Sequence, residues 1–235
     1  MRRLVLAFSV FSVFALVIGF IGTPQASAQQ QSVNLFLGGF IPHRFDARPV
    51  DDVLVNDQNF LDFRIPDFDG FTFGGEYLVG LGNFLEGGLG IGYYQDTAHS
   101  VYLFQVNANG SEIPQDLKLR IVPFTATVRF LPLGRHAPIQ PYVGAGVGVL
   151  HYRYSETGQF VDSDNSIFTG DFVGSGTATG PVVLGGVRMS LGQFDPGFEV
   201  RYQSATGDLP ASQTFAGPRI DLGGFNYLFT FNIRF

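Results

Sequence analysis

Apolar and polar residues alternate with a period of two along most of the chain, in segments of about ten residues, the length of a tilted membrane-crossing strand. The C-terminus shows this best. Phe225, Tyr227, Phe229, Phe231, Ile233 and Phe235 fall on one face of a strand. Asn226, Thr230, Asn232 and Arg234 fall on the other, with Leu228 as the one exception. Such an aromatic stripe would drive aggregation in water and is at home in lipid.

Seven earlier segments read the same way: 33–41, 71–79, 85–94, 119–131, 142–154, 183–191 and 198–204. In 71–79, Phe73, Tyr77 and Val79 point outward and Thr72, Gly74 and Glu76 inward. In 119–131, Val122, Phe124, Ala126, Val128 and Phe130 alternate with Thr125, Thr127 and Arg129. In 142–154, Val143, Ala145, Val147 and Val149 alternate with glycines. The inner rows read as Gly, Thr, Ser, Glu and Arg, with no bulky apolar row to make a soluble barrel's core. The third segment is expected to continue past a kink near Asp96 through 101–106, above the membrane.

The connections alternate too. Short turns fall near Gly82-Asn83, 132–141 and 192–196, and long polar stretches at 42–69, 96–116, 155–179 and 205–218. The pattern predicts an all-β fold: an antiparallel, up-and-down transmembrane barrel of eight strands, with short turns on the periplasmic side and four long extracellular loops.

Composition agrees. Charged residues are 14% of the 235 residues, against 26 Phe and 31 Gly, too few charges for an ordinary soluble domain. With no Cys, disulfides and thiolate metal sites are excluded. The first 28 residues read as an export signal: Arg2 and Arg3, an uncharged run over 4–21, Pro24, then Ala26-Ser27-Ala28 before the cut. Removing it takes away two arginines and no acid, which moves the formal charge from −6 to −8 and argues against a nucleic-acid-binding face. Residues 29–235 are then one barrel domain.

The stretch 121–148 contains Pro123, the alternating Thr125 to Phe130, a short turn and then Pro141-Tyr142-Val143-Gly144-Ala145-Gly146-Val147-Gly148. With Glu199-Val200-Arg201-Tyr202 and the terminal Phe235, it resembles the bacterial outer-membrane β-barrel family of OmpA-type, OmpX-type and OmpW-like proteins. The resemblance implies an outer-membrane location and insertion by the barrel-assembly machinery, which reads the last strand through Phe231, Ile233 and Phe235. The chain lacks the peptidoglycan-binding domain of full-length OmpA-type proteins, so cell-wall attachment is not implied.

The residues that carry charge into the expected lumen are Glu76, Glu86, Arg129, Arg188, Glu199 and Arg201. An eight-stranded barrel has room for little more than side chains, so these charges are expected to pair and fill it. A gate or narrow conduit is the alternative. His151 and Arg153 are expected outward at the extracellular edge, facing membrane lipid and lipopolysaccharide phosphates, which suit an Arg fork. His151 and Ser155, four apart on a strand, are roughly 13 Å apart, too far for a nucleophile and its base, so lipid-modifying chemistry ranks last. No His pair has metal-ligand spacing, and Asp51, Asp52, Asp57, Asp162 and Asp164 read as solvated loop acids. No cofactor is expected. The function so read is non-enzymatic: a plugged scaffold whose loops meet an extracellular ligand or surface, with a narrow pore or transporter as the alternative.

Overall fold

The computed structural model describes residues 30–235; the export signal assigned to residues 1–28 lies outside the described residues. Eight long strands form the wall: β1 (Gln31–Pro42), β2 (Gly70–Gly80), β3 (Leu85–Tyr102), β4 (Pro114–Phe130), β5 (Ile139–Val161), β6 (Ile167–Met189), β7 (Phe194–Gln203) and β8 (Gly224–Arg234). Each pairs antiparallel with the next, and β1 also pairs with β8. The meander is therefore closed. Closure leaves no edge in the closed part of the wall and satisfies its backbone, a condition for crossing a bilayer; farther out, β6 from Ile167 to Pro181 pairs with β5 alone.

The period-two pattern becomes an apolar belt. Leu35, Leu37, Phe71, Phe73, Leu89, Ile91, Phe124, Val128, Val143, Val147, Val183, Val187, Phe225 and Phe229 are all exposed on the outside. Their alternating partners are buried, among them Asn34, Thr72, Glu76, Thr125, Thr127, Arg129, Glu199, Asn226, Thr230 and Asn232. The odd residue of the last strand, Leu228, is 1% exposed and points inward, where its place in the alternation puts it.

The outer face turns polar toward the long-loop end. On β5 it changes from Val149 to His151 and Arg153, on β4 from Val122 to Arg120 and Lys118, and on β6 from Val183 to Thr179 and Thr177. The wall continues well past that boundary. Segment 155–179, expected as a loop, is mostly strand, and so is about half of 96–116: β3 runs unbroken to Tyr102, short of residue 106, β4 starts at Pro114, and β5 and β6 pair out to Val161 and Ile167. Strand tilt and cross-strand bonding carry the ladder beyond the lipid, where outward residues need no apolar character.

The expected absence of bulky apolar residues inside the barrel is wrong for this end. Phe40, Tyr94, Leu117, Leu119, Ile121, Leu150, Tyr152 and Tyr154 point inward and are buried. They pack on two connecting segments that fold back as a plug. Segment 43–69, with the short helix α1 (Val53–Asp57), contributes Val53, Leu54, Leu61, Phe63, Ile65 and Phe68. Segment 204–223, with a small hairpin of Thr206–Asp208 and Arg219–Asp221, contributes Leu209, Ile220 and Leu222. Arg48 ties the two together: its Nε donates to Asp52 Oδ1 at 2.9 Å and its Nη2 to the Asp221 carbonyl at 2.9 Å. Asp52 and Asp57 are thus fully buried and not solvated loop acids.

Candidate functional site

The six inward charges are all buried, and they form two clusters in the half of the lumen nearer the short turns. In the first, Glu199 accepts from Arg129 Nη2 at 2.9 Å, Arg201 Nε at 2.9 Å and the Tyr142 hydroxyl at 3.0 Å. Glu76 accepts from Arg129, from the Thr127 hydroxyl at 2.9 Å and from Arg201 at 3.4 Å. Two acids and two bases thus close a neutral ring. Aromatic faces cover the cations: Arg129 lies 4.9 Å from the Tyr142 ring centre and Arg201 lies 5.1 Å from that of Phe36, distances at which the ring quadrupole attracts a cation.

Inward glycines make room for this ring. A Cβ at Gly88 would lie 2.6 Å from a Glu76 carboxylate oxygen and 2.8 Å from the Thr127 hydroxyl, and one at Gly186 would lie 2.6 Å from the Tyr142 hydroxyl.

In the second cluster Arg188 Nη2 donates to Glu86 Oε1 at 2.5 Å and its Nε to Gln140 Oε1 at 2.8 Å. Arg135 reaches Glu86 at 3.5 Å, and Arg234 reaches Asp195 at 2.5 Å. Sequence reasoning missed Arg135, Asp195 and Arg234. Arg135 and Asp195 fall within the expected turns 132–141 and 192–196, and a turn carries no inside or outside parity. Arg234 was already on the polar face of the last strand, and that parity could have found it.

His151 and Arg153 are exposed on the outer face of β5, as expected. Register supplies their neighbours. Arg120 of β4 stands directly opposite Arg153, Val122 opposite His151, and Lys118 opposite Ser155. Four basic residues therefore sit immediately beyond the apolar belt. Like charges directly opposed across a ladder repel, a cost that an anionic group between them removes. Ser155 shares this face, but His151 Nδ1 contacts Thr177 Oγ1 at 3.1 Å. At the far end, Phe231 and Phe235 are exposed on the belt side of the last strand, Ile233 is half-buried between them, and Phe231 stacks on Phe194 with ring centres 5.5 Å apart. Among the described residues no group of three His, Cys, Asp or Glu is placed to hold a metal ion.

No protein-family description and no curated protein matches the chain. Solved structures do match. The N-terminal β-barrel domain of Pseudomonas aeruginosa OprF is 12% identical over 88% of this chain and 98% of its own, with a TM-score of 0.41. Neisserial surface protein A is 14% identical over 88% of this chain and 97% of its own, with a TM-score of 0.46. Ail, the attachment invasion locus protein of Yersinia pestis, solved with the heparin analogue sucrose octasulfate, is 11% identical over 88% of this chain and 99% of its own, with a TM-score of 0.41. The strand pairing and the apolar belt of this chain make it a small eight-stranded transmembrane barrel.

Proposed function

We propose that this protein is a non-enzymatic scaffold of the bacterial outer membrane, closed to solutes, which holds a rigid long-loop end outside the cell for surface interactions. The observation that carries this reading is a lumen filled at both ends. The ion-pair ring fills the half near the short turns, and the apolar plug fills the half near the long loops. Loops on a rigid scaffold are where binding is usually found. The last strand, with Phe231, Ile233 and Phe235 at its end, is the segment we assign to recognition by the barrel-assembly machinery.

Single-channel recording in planar bilayers tests the closed lumen. The folded protein is expected to be silent, and so are its Glu76→Gln and Arg129→Met variants, because the plug still blocks the far end. Stable openings whose conductance changes with these charges would replace the scaffold by a pore.

The basic rim is assigned to lipopolysaccharide phosphates. A double variant Arg120→Ser with Arg153→Ser is expected to lose most of the thermal protection that lipopolysaccharide gives the folded barrel, and to keep the protection given by zwitterionic lipid. Equal protection of both proteins by lipopolysaccharide would remove the rim from this role.

A further inference from the structure

One cleft lies apart from the lumen charges and the rim. It opens at the long-loop end, between the projecting β5–β6 hairpin and the two plug segments, and has a volume of about 710 Å³. That size suits a small molecule. Its walls carry Phe60, Tyr102, Phe160, Phe168 and Phe172. Phe160 and Phe172 meet edge to face with ring centres 4.7 Å apart, and Phe60 lies 5.9 Å from Tyr102.

The buried polar atoms of the cleft that lack a partner are all acceptors. Asp57 ends α1 and is fully buried; its Oδ2 accepts from the Tyr154 hydroxyl at 3.1 Å, and its Oδ1 has no donor in the protein. Glu156, on the inner face of β5, is 6% exposed and its Oε1 has no donor either. Gln115 spends its amide nitrogen on the Gln159 carbonyl at 3.0 Å and the Tyr102 hydroxyl at 3.3 Å, which leaves its buried carbonyl oxygen unsatisfied. Among the described residues no Lys, Arg or His lines the cleft, and Asp162 at the mouth adds a further negative charge.

We propose that this cleft binds a small organic ammonium compound, a primary amine on an apolar or aromatic body. An ammonium group brings three donors and no acceptor, the complement of the orphaned oxygens. A positive charge beside aromatic faces gains cation–π attraction, and an apolar body suits the remaining wall. A hard metal ion fits less well, because it asks for six to eight oxygens and would leave the phenylalanines without a role. The inference rests on the scaffold reading only for the side of the membrane that the cleft faces.

Protonation supports the same chemistry. Burial pushes the Glu156 carboxyl up to about 7. Burial, and then the charge of Glu156, push Asp57 well above the usual carboxylate range. The other titratable groups facing this pair are Tyr154, which donates to Asp57, and Asp52, whose charge is already matched by Arg48. At the mouth stand Tyr102 and Asp162. Without ligand the pair therefore holds a proton near neutrality, and an entering cation must displace it. Affinity is expected to rise as pH climbs through 7 and to fall below it.

Calorimetric titration of the full folded barrel in detergent micelles tests the proposal, with phenethylamine as the probe, 2-phenylethanol as its uncharged counterpart and calcium chloride as the competing cation. Phenethylamine at pH 8 is expected to bind at one site. Its affinity should fall at least several-fold at pH 6, and at least fivefold in Asp57→Asn and in Glu156→Gln at pH 8. Both variants are expected to fold, because each fixes the uncharged form that burial favours. Phe168→Ala, at the exposed mouth, provides a further variant outside the buried pair and should also weaken binding. Equal affinity for 2-phenylethanol, unchanged affinity in the carboxamide variants, displacement of the amine by equimolar calcium, or no heat with any probe would each overturn the proposal. A barrel that conducts ions and still binds the amine would sink only the closed-scaffold reading.

Discussion

Glu199→Gln is expected to destabilise the folded barrel by about 3–5 kcal/mol, the cost of breaking a buried ion pair from one side. Glu199 is fully buried and accepts hydrogen bonds from Arg129, Arg201 and Tyr142. With the negative charge gone, two buried guanidiniums share the single carboxylate of Glu76. Water cannot replace the lost partner, because Leu78, Tyr142 and Leu184 are buried around the ring. A second substitution, Arg201→Gln, restores neutrality and is expected to return a large part of the loss. Urea titration in lipid vesicles, followed by heat-modifiable gel mobility, reads both variants. A single-variant cost below about 1 kcal/mol, in the range of exposed pairs, would mean that the lumen is hydrated. The plugged reading would then fall with it.

Phe229→Arg is expected to cost about 2–4 kcal/mol, as a cation in the middle of a lipid-facing strand does. Phe229 is 66% exposed on the belt and meets Phe198 edge to face, with ring centres 5.8 Å apart. The loss therefore reports the surroundings and not a core contact. The matching control is Thr169→Arg, also exposed on β6 but well beyond the switch to polar residues, with the uncharged Gln159 opposite. It is expected to be nearly neutral. A lumen-side control such as Thr230→Arg is unsuitable. Thr230 is buried, and its hydroxyl oxygen would lie 2.8 Å from a Cβ at Gly197, so an arginine there meets filled space. Equal costs for Phe229→Arg and Thr169→Arg would place the lipid boundary elsewhere.

The two halves of the barrel differ in how far their sequence shows them. Within the lipid, each residue faces hydrocarbon or lumen, two solvents of opposite character. Alternation is therefore enforced residue by residue, and Phe225 to Phe235 reveals the last strand with no help from its neighbours. The same rule placed Glu76, Glu86, Arg129, Arg188, Glu199 and Arg201 inside, because no charge survives on the other face. Which acid meets which arginine was not legible. Glu76 and Arg129 sit on strands that do not pair with each other, and they meet across the inward glycines of β3, which lies between them.

Beyond the lipid the outer face meets water, and the enforced contrast disappears. Val149 passes into His151 and Arg153 while Leu150, Tyr152 and Tyr154 continue the inner row. In sequence the segment then resembles a polar loop with scattered aromatics. The plug was hidden for a related reason. Val53 and Leu54 are adjacent and Leu61, Phe63 and Ile65 alternate over only five residues, too short a run to read as a wall strand, because segment 43–69 fills a space already shaped by the wall. The all-β meander, the lipid-facing surface and the six charges turned into the lumen were legible in the chain, since each follows from local contrast between two environments; the count of eight became definite only when residues 101–102 proved to continue β3. The ion-pair partners, the apolar plug and the acidic aromatic cleft exist only in the folded barrel, since each depends on residues that strand pairing, closure and the returning segments make neighbours.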